Sequence, residues 1–406
     1  MAKILFFFTN DFPFGKDETF IENEIPILAR EFDKIILVSN DCTNKQTRSV
    51  PSNVIIERSS YDLTNFNIVL SVFGIFSKAF WTEMAIVKHV YKKHRTSIII
   101  KTALQSLRKS IVFEKRFSRF LAKYSSSSDS IYAYSYWADD TAVALVRLKE
   151  KHPHIKAFCR AHRWDLYLEQ NSSGYLPFRK SIIDGLDAIF SISDDGKQYL
   201  ENLFGQRFPN IKISRLGVLP HKSSAFDSSQ FIIVTVSNII AVKNLLLLVK
   251  ALAKLQFDFK WYHIGDGPQR PEISLLAEHF ISNKYEFLGL KTNAEVITFL
   301  EQTPVSVFVN VSISEGVPVS IMEAFSCGIP VLATDVGGNA EIVSSYNGML
   351  VPADASEILI ADALTMFKKL SVDKMLELRQ NAFKTWDDNC NAEKNFRQFV
   401  QSIFKL

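Results

Sequence analysis

The chain has 406 residues, 47% of them hydrophobic and 22% charged, with a formal net charge of +4. That length exceeds what one core usually organises, and the apolar-to-charged balance excludes a disordered or fibrous chain. Four scattered cysteines, Cys42, Cys159, Cys327 and Cys390, have neither metal-ligand nor redox spacing and predict reduced thiols in a cytosolic compartment.

The opening MAKILFFFTNDFP has an apolar run too short for a secretory leader, so KILFFF (3–8) predicts a buried first strand. DKIILVS (33–39), SIYAYS (130–135), IKAFCR (155–160), DAIFSIS (187–193) and IKISRLG (211–217) read as further strands. A helical insertion at about 66–123 interrupts this rhythm. Its most apolar stretch, FNIVLSVFGIF (66–76), is well short of the ~20 residues a membrane-spanning helix needs. From Phe66 to Tyr124, twelve Lys or Arg accompany only two acids, Glu83 and Glu114, and are interleaved with Phe73, Phe76, Phe80, Trp81, Phe113, Phe117 and Phe120. One explanation is a surface for anionic lipid headgroups or a diphosphate-bearing acceptor. The other is a pair of helices with the rings in the core and solvated cations outside. Nucleic acid is not an expected partner, because no recognition motif accompanies the charge.

PHKSSAFDSSQ (220–230) is polar and aperiodic, which predicts an interdomain linker. Beyond it, FIIVTVS (231–237), FKWYHIG (259–265), YEFLG (285–289), VSVFVN (305–310), PVLAT (330–334) and GMLV (348–351) alternate with helical patterns such as NLLLLVKALAKL (244–255) and ASEILIADALTMFKKL (355–370). Strands apolar on both faces and alternating with helices imply a parallel sheet covered on both sides. The expected division is therefore an N-terminal Rossmann-like domain over 1–220, a second over 228–385, and a closing amphipathic segment, 386–406, packed back on the first. Ligands of such sheets sit at the carboxyl ends of the strands.

Within the second half, Glu315 and Glu323 bracket EGVPVSIME, with Gly316 and Pro318 between them. A helix N-terminus presents free N–H groups and partial positive charge to an anion, and carboxylates accept hydrogen bonds from sugar or ribose hydroxyls. A nucleotide-sugar has both kinds of group. Pro318 suits the first helical turn, where its missing N–H costs nothing. Lys243 is placed at the opening of the helix KNLLLLVKAL, where a cation opposes the dipole unless an anion lies nearby.

These residues resemble the retaining, nucleotide-sugar-dependent glycosyltransferases of the two-Rossmann-domain (GT-B) class, in the large family with paired glutamates seven residues apart. Glu315 and Glu323 match that pair, Gly337 and Gly338 its di-glycine turn, and Gly265, Asp266, Gly267 and Pro268 its Gly-x-Gly-Pro turn. DETFIENEI (17–25) and RAHRWDLY (160–167) extend the likeness into the first half. The resemblance implies an α/β fold of two facing Rossmann-like domains with the active site in the cleft between them. It assigns Glu315, Lys243 and His162 to catalysis: Glu315 on a donor-sugar hydroxyl, Lys243 on the leaving diphosphate, His162 near the sugar. It assigns Glu323 to the ribose, the backbone of Gly316, Val317, Pro318 and Val319 to the diphosphate, and Gly265 and Gly267 to close approach of the nucleotide. Gly15 in NDFPFGKDETF matches one of a usual glycine pair. Ser237 and Asn238 stand where the family usually has Gly-Arg, so one phosphate-binding cation is missing or comes from elsewhere. Arg163 occupies a position that is often small, and Asp165 is expected to orient its loop.

No Asp-x-Asp motif stands in a plausible place, so no metal or other cofactor is expected, with UDP-sugars ahead of GDP-sugars as donor. The expected acceptor is a hydroxyl of a growing surface glycan such as lipopolysaccharide or capsule, possibly lipid-linked, with the chain cytoplasmic and peripheral on the inner membrane face. A nucleotide-sugar epimerase of the same fold and a non-catalytic nucleotide-sugar-binding protein are the alternatives. A pyridine-nucleotide oxidoreductase fits the strands but lacks the full glycine fingerprint.

Overall fold

The computed structural model describes residues 2–15, 18–40, 44–58 and 74–406. The chain forms two compact units, one of Met1–Arg215 with Phe396–Leu406 and the other of Leu216–Asn395.

The N-terminal unit is built on a wholly parallel sheet. Its strands are β1 (Lys3–Thr9), β2 (Lys34–Ser39), β3 (Val54–Arg58), β4 (Ser130–Ser135), β5 (Lys156–Ala161), β6 (Ala188–Ser191) and β7 (Ile211–Ile213), in the order β3-β2-β1-β4-β5-β6-β7. β3, VIIER, was not expected from the sequence; it is a short edge strand whose residues after Val54 are partly exposed. Alternation along β1 divides the core. Ile4, Phe6 and Phe8 join one apolar cluster and Leu5 and Phe7 the other, so helices must cover both faces.

The basic, aromatic insertion is two helices, Lys78–His89 and Ser97–Tyr124, started by Ser77 and Thr96, whose hydroxyls cap the N–H groups of Phe80 and Ile99. Most of its rings serve the core. Phe80, Phe113 and Phe117 are buried, with Phe117 against Phe8 at 3.8 Å between centroids, and Phe120 packs at the edge. Phe76 and Trp81 remain exposed, at 81% and 53%. For these rings the second explanation holds, because helical periodicity turns every third or fourth ring inward, and it leaves Phe76 and Trp81 outside. Residues 66–73, including Phe73, and Cys42 lie outside the described residues; Cys159, Cys327 and Cys390 are buried and form no disulfide among the described residues.

The C-terminal unit has a second parallel sheet of β8 (Ile232–Val236), β9 (Lys260–Ile264), β10 (Tyr285–Phe287), β11 (Val307–Asn310), β12 (Val331–Thr334) and β13 (Gly348–Val351), ordered β10-β9-β8-β11-β12-β13. Both sheets reverse direction of winding beside their first strand, between β1 and β4 and between β8 and β11, which is where open α/β sheets bind ligands.

The segment 220–230 is no free linker. Arg379 donates to the carbonyls of Ser224 and Val305, the Ser224 hydroxyl to Thr303 O, and the Trp386 indole to Val218 O. Polar residues there are spent on fixing the entry of the chain into this unit. The closing segment divides as well: Trp386 is buried with the C-terminal unit, whereas Phe399, Val400 and Ile403 enter the N-terminal core, where Phe399 meets Phe158, Phe190 and Tyr134. Among the described residues no helix is long and apolar enough to cross a membrane.

Candidate functional site

The loops after β8 and β11 meet at the reversal point of the C-terminal sheet, where Ile313 N–H donates to Val242 O at 2.8 Å. Glu315 sits in the second loop, 7% exposed. Its Oε1 accepts from Lys243 Nζ at 2.6 Å, Ser312 Oγ at 2.6 Å and Asn310 Nδ2 at 3.2 Å. Asn310 ends β11 and Ser312 is tied to β12 by Thr334 Oγ1, which donates to Ser312 O at 2.6 Å. One carboxylate oxygen is thereby saturated and oriented by three donors. Charged, partly buried hydrogen bonds of this kind are the stronger class.

Lys243 does not open a helix, as the pattern predicted. It ends a 3-10 turn, Ala241–Lys243; Asn244 follows in the left-handed region (φ 54°), and the α-helix begins at Leu245. The supposed opposition to a helix dipole gives way to a specific ion pair with Glu315. Pro318 is likewise one residue earlier than expected, as the N-cap of the helix Val319–Ser326. Because proline has no N–H, the backbone donors available there reduce to Gly316, Val317 and Val319.

The glycines act mainly by letting backbone meet backbone. A Cβ at Gly337 (φ 51°) would stand 2.0 Å from Glu315 O, and one at Gly338 would strike Val317 and Gly316 O. Gly338 N–H donates to Gly316 O at 2.7 Å, so the di-glycine turn braces the loop that carries Glu315. A Cβ at Gly265 (φ 138°) would lie 1.9 Å from Ser237 O, and at Gly267 2.4 Å from Ile239 O. These two glycines permit a close approach to the loop at 237–239. Asn238 on that loop is exposed.

Glu323, one turn inside the helix Val319–Ser326, is 6% exposed and accepts from Asn293 Nδ2 at 2.5 Å. Burial pushes its carboxyl up to about 7, against the opposing pull of Asn293. The two acids are unlike: Glu315 lies beside a cation, and Glu323 is desolvated by burial with a neutral amide as its partner.

His162 belongs to the N-terminal unit, just past β5. It is 6% exposed, packed against Tyr136 and Trp137, with centroids at 4.6 and 4.4 Å. Neither ring nitrogen makes a hydrogen bond to a described residue, and Nδ1 stands 3.7 Å from Asp165 Oδ2. Burial holds the imidazole below its usual range, with Asp165 opposing. Asp165, fully buried, accepts from the N–H groups of Ala138 and His162 and so fixes the loops after β4 and β5.

Glu18 was missed. It adopts a left-handed conformation (φ 57°), is buried, and accepts from the N–H groups of Asn10, Asp11 and Phe12 and from the Trp137 indole at 2.5 Å. This one carboxylate shapes the loop after β1 and joins it to the loop after β4. Gly15 (φ 58°) turns the same loop where a Cβ would meet Asp11 at 2.3 Å. Asn310, Ser312 and Asn293 were also missed. Asn310 and Ser312 closely precede the glutamate in NVSISEG, the one local signal that could have found them.

Residues 220–385 match the family Glycosyl transferases group 1. The chain is 26% identical over 255 residues to the putative colanic acid biosynthesis glycosyltransferase WcaL of Salmonella typhimurium, covering 60% of this chain and 62% of that protein. It is 27% identical over 166 residues to the putative teichuronic acid biosynthesis glycosyltransferase TuaC of Bacillus subtilis, covering 41% of this chain and 40% of that one. The matches therefore span less than two thirds of these curated relatives. Among solved structures, the lipopolysaccharide outer core galactosyltransferase WaaB superposes with a TM-score of 0.72 at 17% identity, and Anabaena Alr3699/HepE in complex with UDP with 0.69 at 14%, each covering 100% of both chains. These likenesses establish the two-sheet GT-B fold.

Proposed function

From the premise that the chain carries a group 1 glycosyl transferase domain on a GT-B fold, we propose that it moves a sugar, with retention, from a nucleoside diphosphate-sugar to a hydroxyl of a growing surface glycan. The observation that carries this reading is the Lys243–Glu315 pair beside the N-terminus of Val319–Ser326, at the carboxyl ends of β8 and β11. An ammonium and backbone N–H groups suit a diphosphate, and the second carboxylate, Glu323, suits a ribose diol. As the bond between the anomeric carbon and the diphosphate oxygen breaks, negative charge grows on the leaving group, and a preorganised donor there is worth roughly 3–4 kcal/mol. The acceptor oxygen bonds to the same face of the anomeric carbon, and its proton passes to the leaving diphosphate. Glu315 positions a sugar hydroxyl, and His162, whose ring nitrogens are unspent, is assigned to the sugar substrate. Lys243 takes the electrostatic role that a metal fills elsewhere, so we assign a metal-independent reaction; the UDP complex of the structural neighbour Anabaena Alr3699/HepE supports UDP-sugars over GDP-sugars as donor.

The relatives named for colanic and teichuronic acid biosynthesis support a surface-polysaccharide acceptor, and a lipid-linked one suits a peripheral position on the inner membrane face. There the exposed Phe76 and Trp81, with Lys78, Lys88 and Lys92 exposed nearby in sequence, are the part of the insertion left to meet anionic headgroups. Flotation with anionic liposomes tests this; binding indifferent to high salt and to neutralising those lysines would refute it. The activity itself is tested by a thermal-shift panel of nucleotide-sugars, followed by nucleotide release with and without acceptor in excess EDTA. Release that occurs only with acceptor supports transfer over epimerisation, and loss of release in EDTA would overturn metal independence.

A further inference from the structure

Among the described residues the Glu323 carboxylate has one hydrogen-bond partner, and that partner is itself fixed in place. Asn293 is the first residue of the helix Asn293–Gln302, whose start is fixed by a reciprocal cap: Thr292 Oγ1 accepts from Glu295 N–H, while Glu295 Oε2 accepts from Thr292 N–H at 2.8 Å. Its amide then donates to Oε1 of the buried Glu323 at 2.5 Å. Oε2 of Glu323 accepts no hydrogen bond from any described residue. The amide is itself on an exposed residue, so nothing about the core requires it.

We propose that Asn293 is a positioning residue of the nucleotide site: it clamps Oε1 of Glu323 and so presents Oε2 to the ribose hydroxyls of the donor. This rests on the assignment of Glu323 to the nucleotide made above. An ionised carboxylate accepts from two hydroxyls at once, whereas a protonated one must spend an oxygen on its own proton. Nucleotide binding should then strengthen as pH rises through the value near 7 to which burial pushes Glu323. Asn293 is the one hydrogen-bonding group opposing that rise, so its loss moves the acid limb of binding to higher pH. The other ionisable groups on the surrounding elements are Glu295 and Glu301 on the Asn293 helix, Lys291 before it, Cys327 at the end of the Glu323 helix, Asp373, Lys374, Glu377, Arg379 and Lys384 on the helix Val372–Thr385, and Asp387, Asp388 and Cys390 after it; none of them contributes to the shift at Glu323. Cys327 and Arg379 are shifted to about 12 and about 10, outside the window in question.

Calorimetric titration of the full chain with UDP, and with GDP in parallel, from about pH 6 to 9 tests the proposal on wild type, Asn293→Ala and Glu323→Gln, with circular dichroism confirming the fold. Glu323→Gln retains only the pH dependence of the phosphate groups and supplies the baseline. The expected result is that Asn293→Ala binds about tenfold more weakly near pH 7 and recovers toward wild type near pH 9. An acid limb unchanged in Asn293→Ala, or a loss that is equal at every pH, overturns the role of Asn293 while leaving the site intact if Glu323→Gln is weak. Wild-type affinity in Glu323→Gln, or no binding of either nucleotide to wild type, overturns the site assignment and this inference with it.

Discussion

The Lys243 ammonium lies 2.6 Å from Oε1 of Glu315, although the two residues are separated by 72 positions in the chain. The lysine is 23% exposed in its side chain and the glutamate 8%. The two charges neutralise each other, and a diphosphate that took the ammonium, as proposed, would leave Glu315 on its two neutral donors, Asn310 and Ser312.

Replacing Lys243 therefore affects more than the ligand. Lys243→Met is expected to lower turnover about 100-fold or more, as the loss of a donor to developing charge. It should also cost about 1–2 kcal/mol of stability, because Glu315 keeps two of its three partners and is only partly stranded. Steady-state kinetics and thermal melts check both. Wild-type turnover would remove Lys243 from the mechanism.

Ser312→Ala and Asn310→Ala leave the ion pair but loosen the glutamate. The expected outcome is a fall in kcat/KM of about tenfold for each, equivalent to one hydrogen bond to a charged group, with unchanged nucleotide affinity. Equal losses in UDP binding would show instead that the whole loop had moved.

Gly265→Ala should be severe. The backbone there has φ 138° and the new methyl would stand 1.9 Å from Ser237 O, with a carbonyl rather than a flexible side chain in the way. A loss of roughly 3 kcal/mol or more is expected in thermal unfolding. Gly205→Ala, where nothing lies within 4 Å, is the control for left-handed conformation alone.

Glu323→Gln separates stability from function. The folded-state carboxyl sits at about 7, above its ordinary 4.5, so the folded protein binds a proton more tightly than the unfolded chain. That stabilisation is fully present below about pH 4.5 and is lost as pH rises through about 7. Glutamine keeps a neutral group at every pH. The nucleotide-free variant should match wild type near pH 4 and exceed it by roughly 1–3 kcal/mol at pH 8. A stability difference that does not change with pH would place Glu323 in a wetter setting than the fold gives it.

The alternating apolar runs were enough to determine the strands of both sheets except β3, because a strand buried on two faces must be apolar at nearly every position and a helix between such strands must not. The order of Glu315, Glu323 and the glycines was likewise visible, since short motifs in strand-to-helix loops keep their chemistry in one stretch of chain. What the chain alone left open was partnership. That Lys243 would meet Glu315, that Asn293 would serve Glu323, that Gly265 would yield to the carbonyl of Ser237, and that Glu18 would gather three N–H groups and an indole all depend on loops from different strands of the same sheet converging, the first three in the C-terminal unit and the last in the N-terminal one. The same holds for the basic insertion, where composition counted the aromatic rings but only packing decided which of them, Phe80, Phe113 and Phe117, were withdrawn from water. Burial and hydrogen bonding between distant segments are set by the three-dimensional register of the sheet, and a linear pattern carries no measure of that distance.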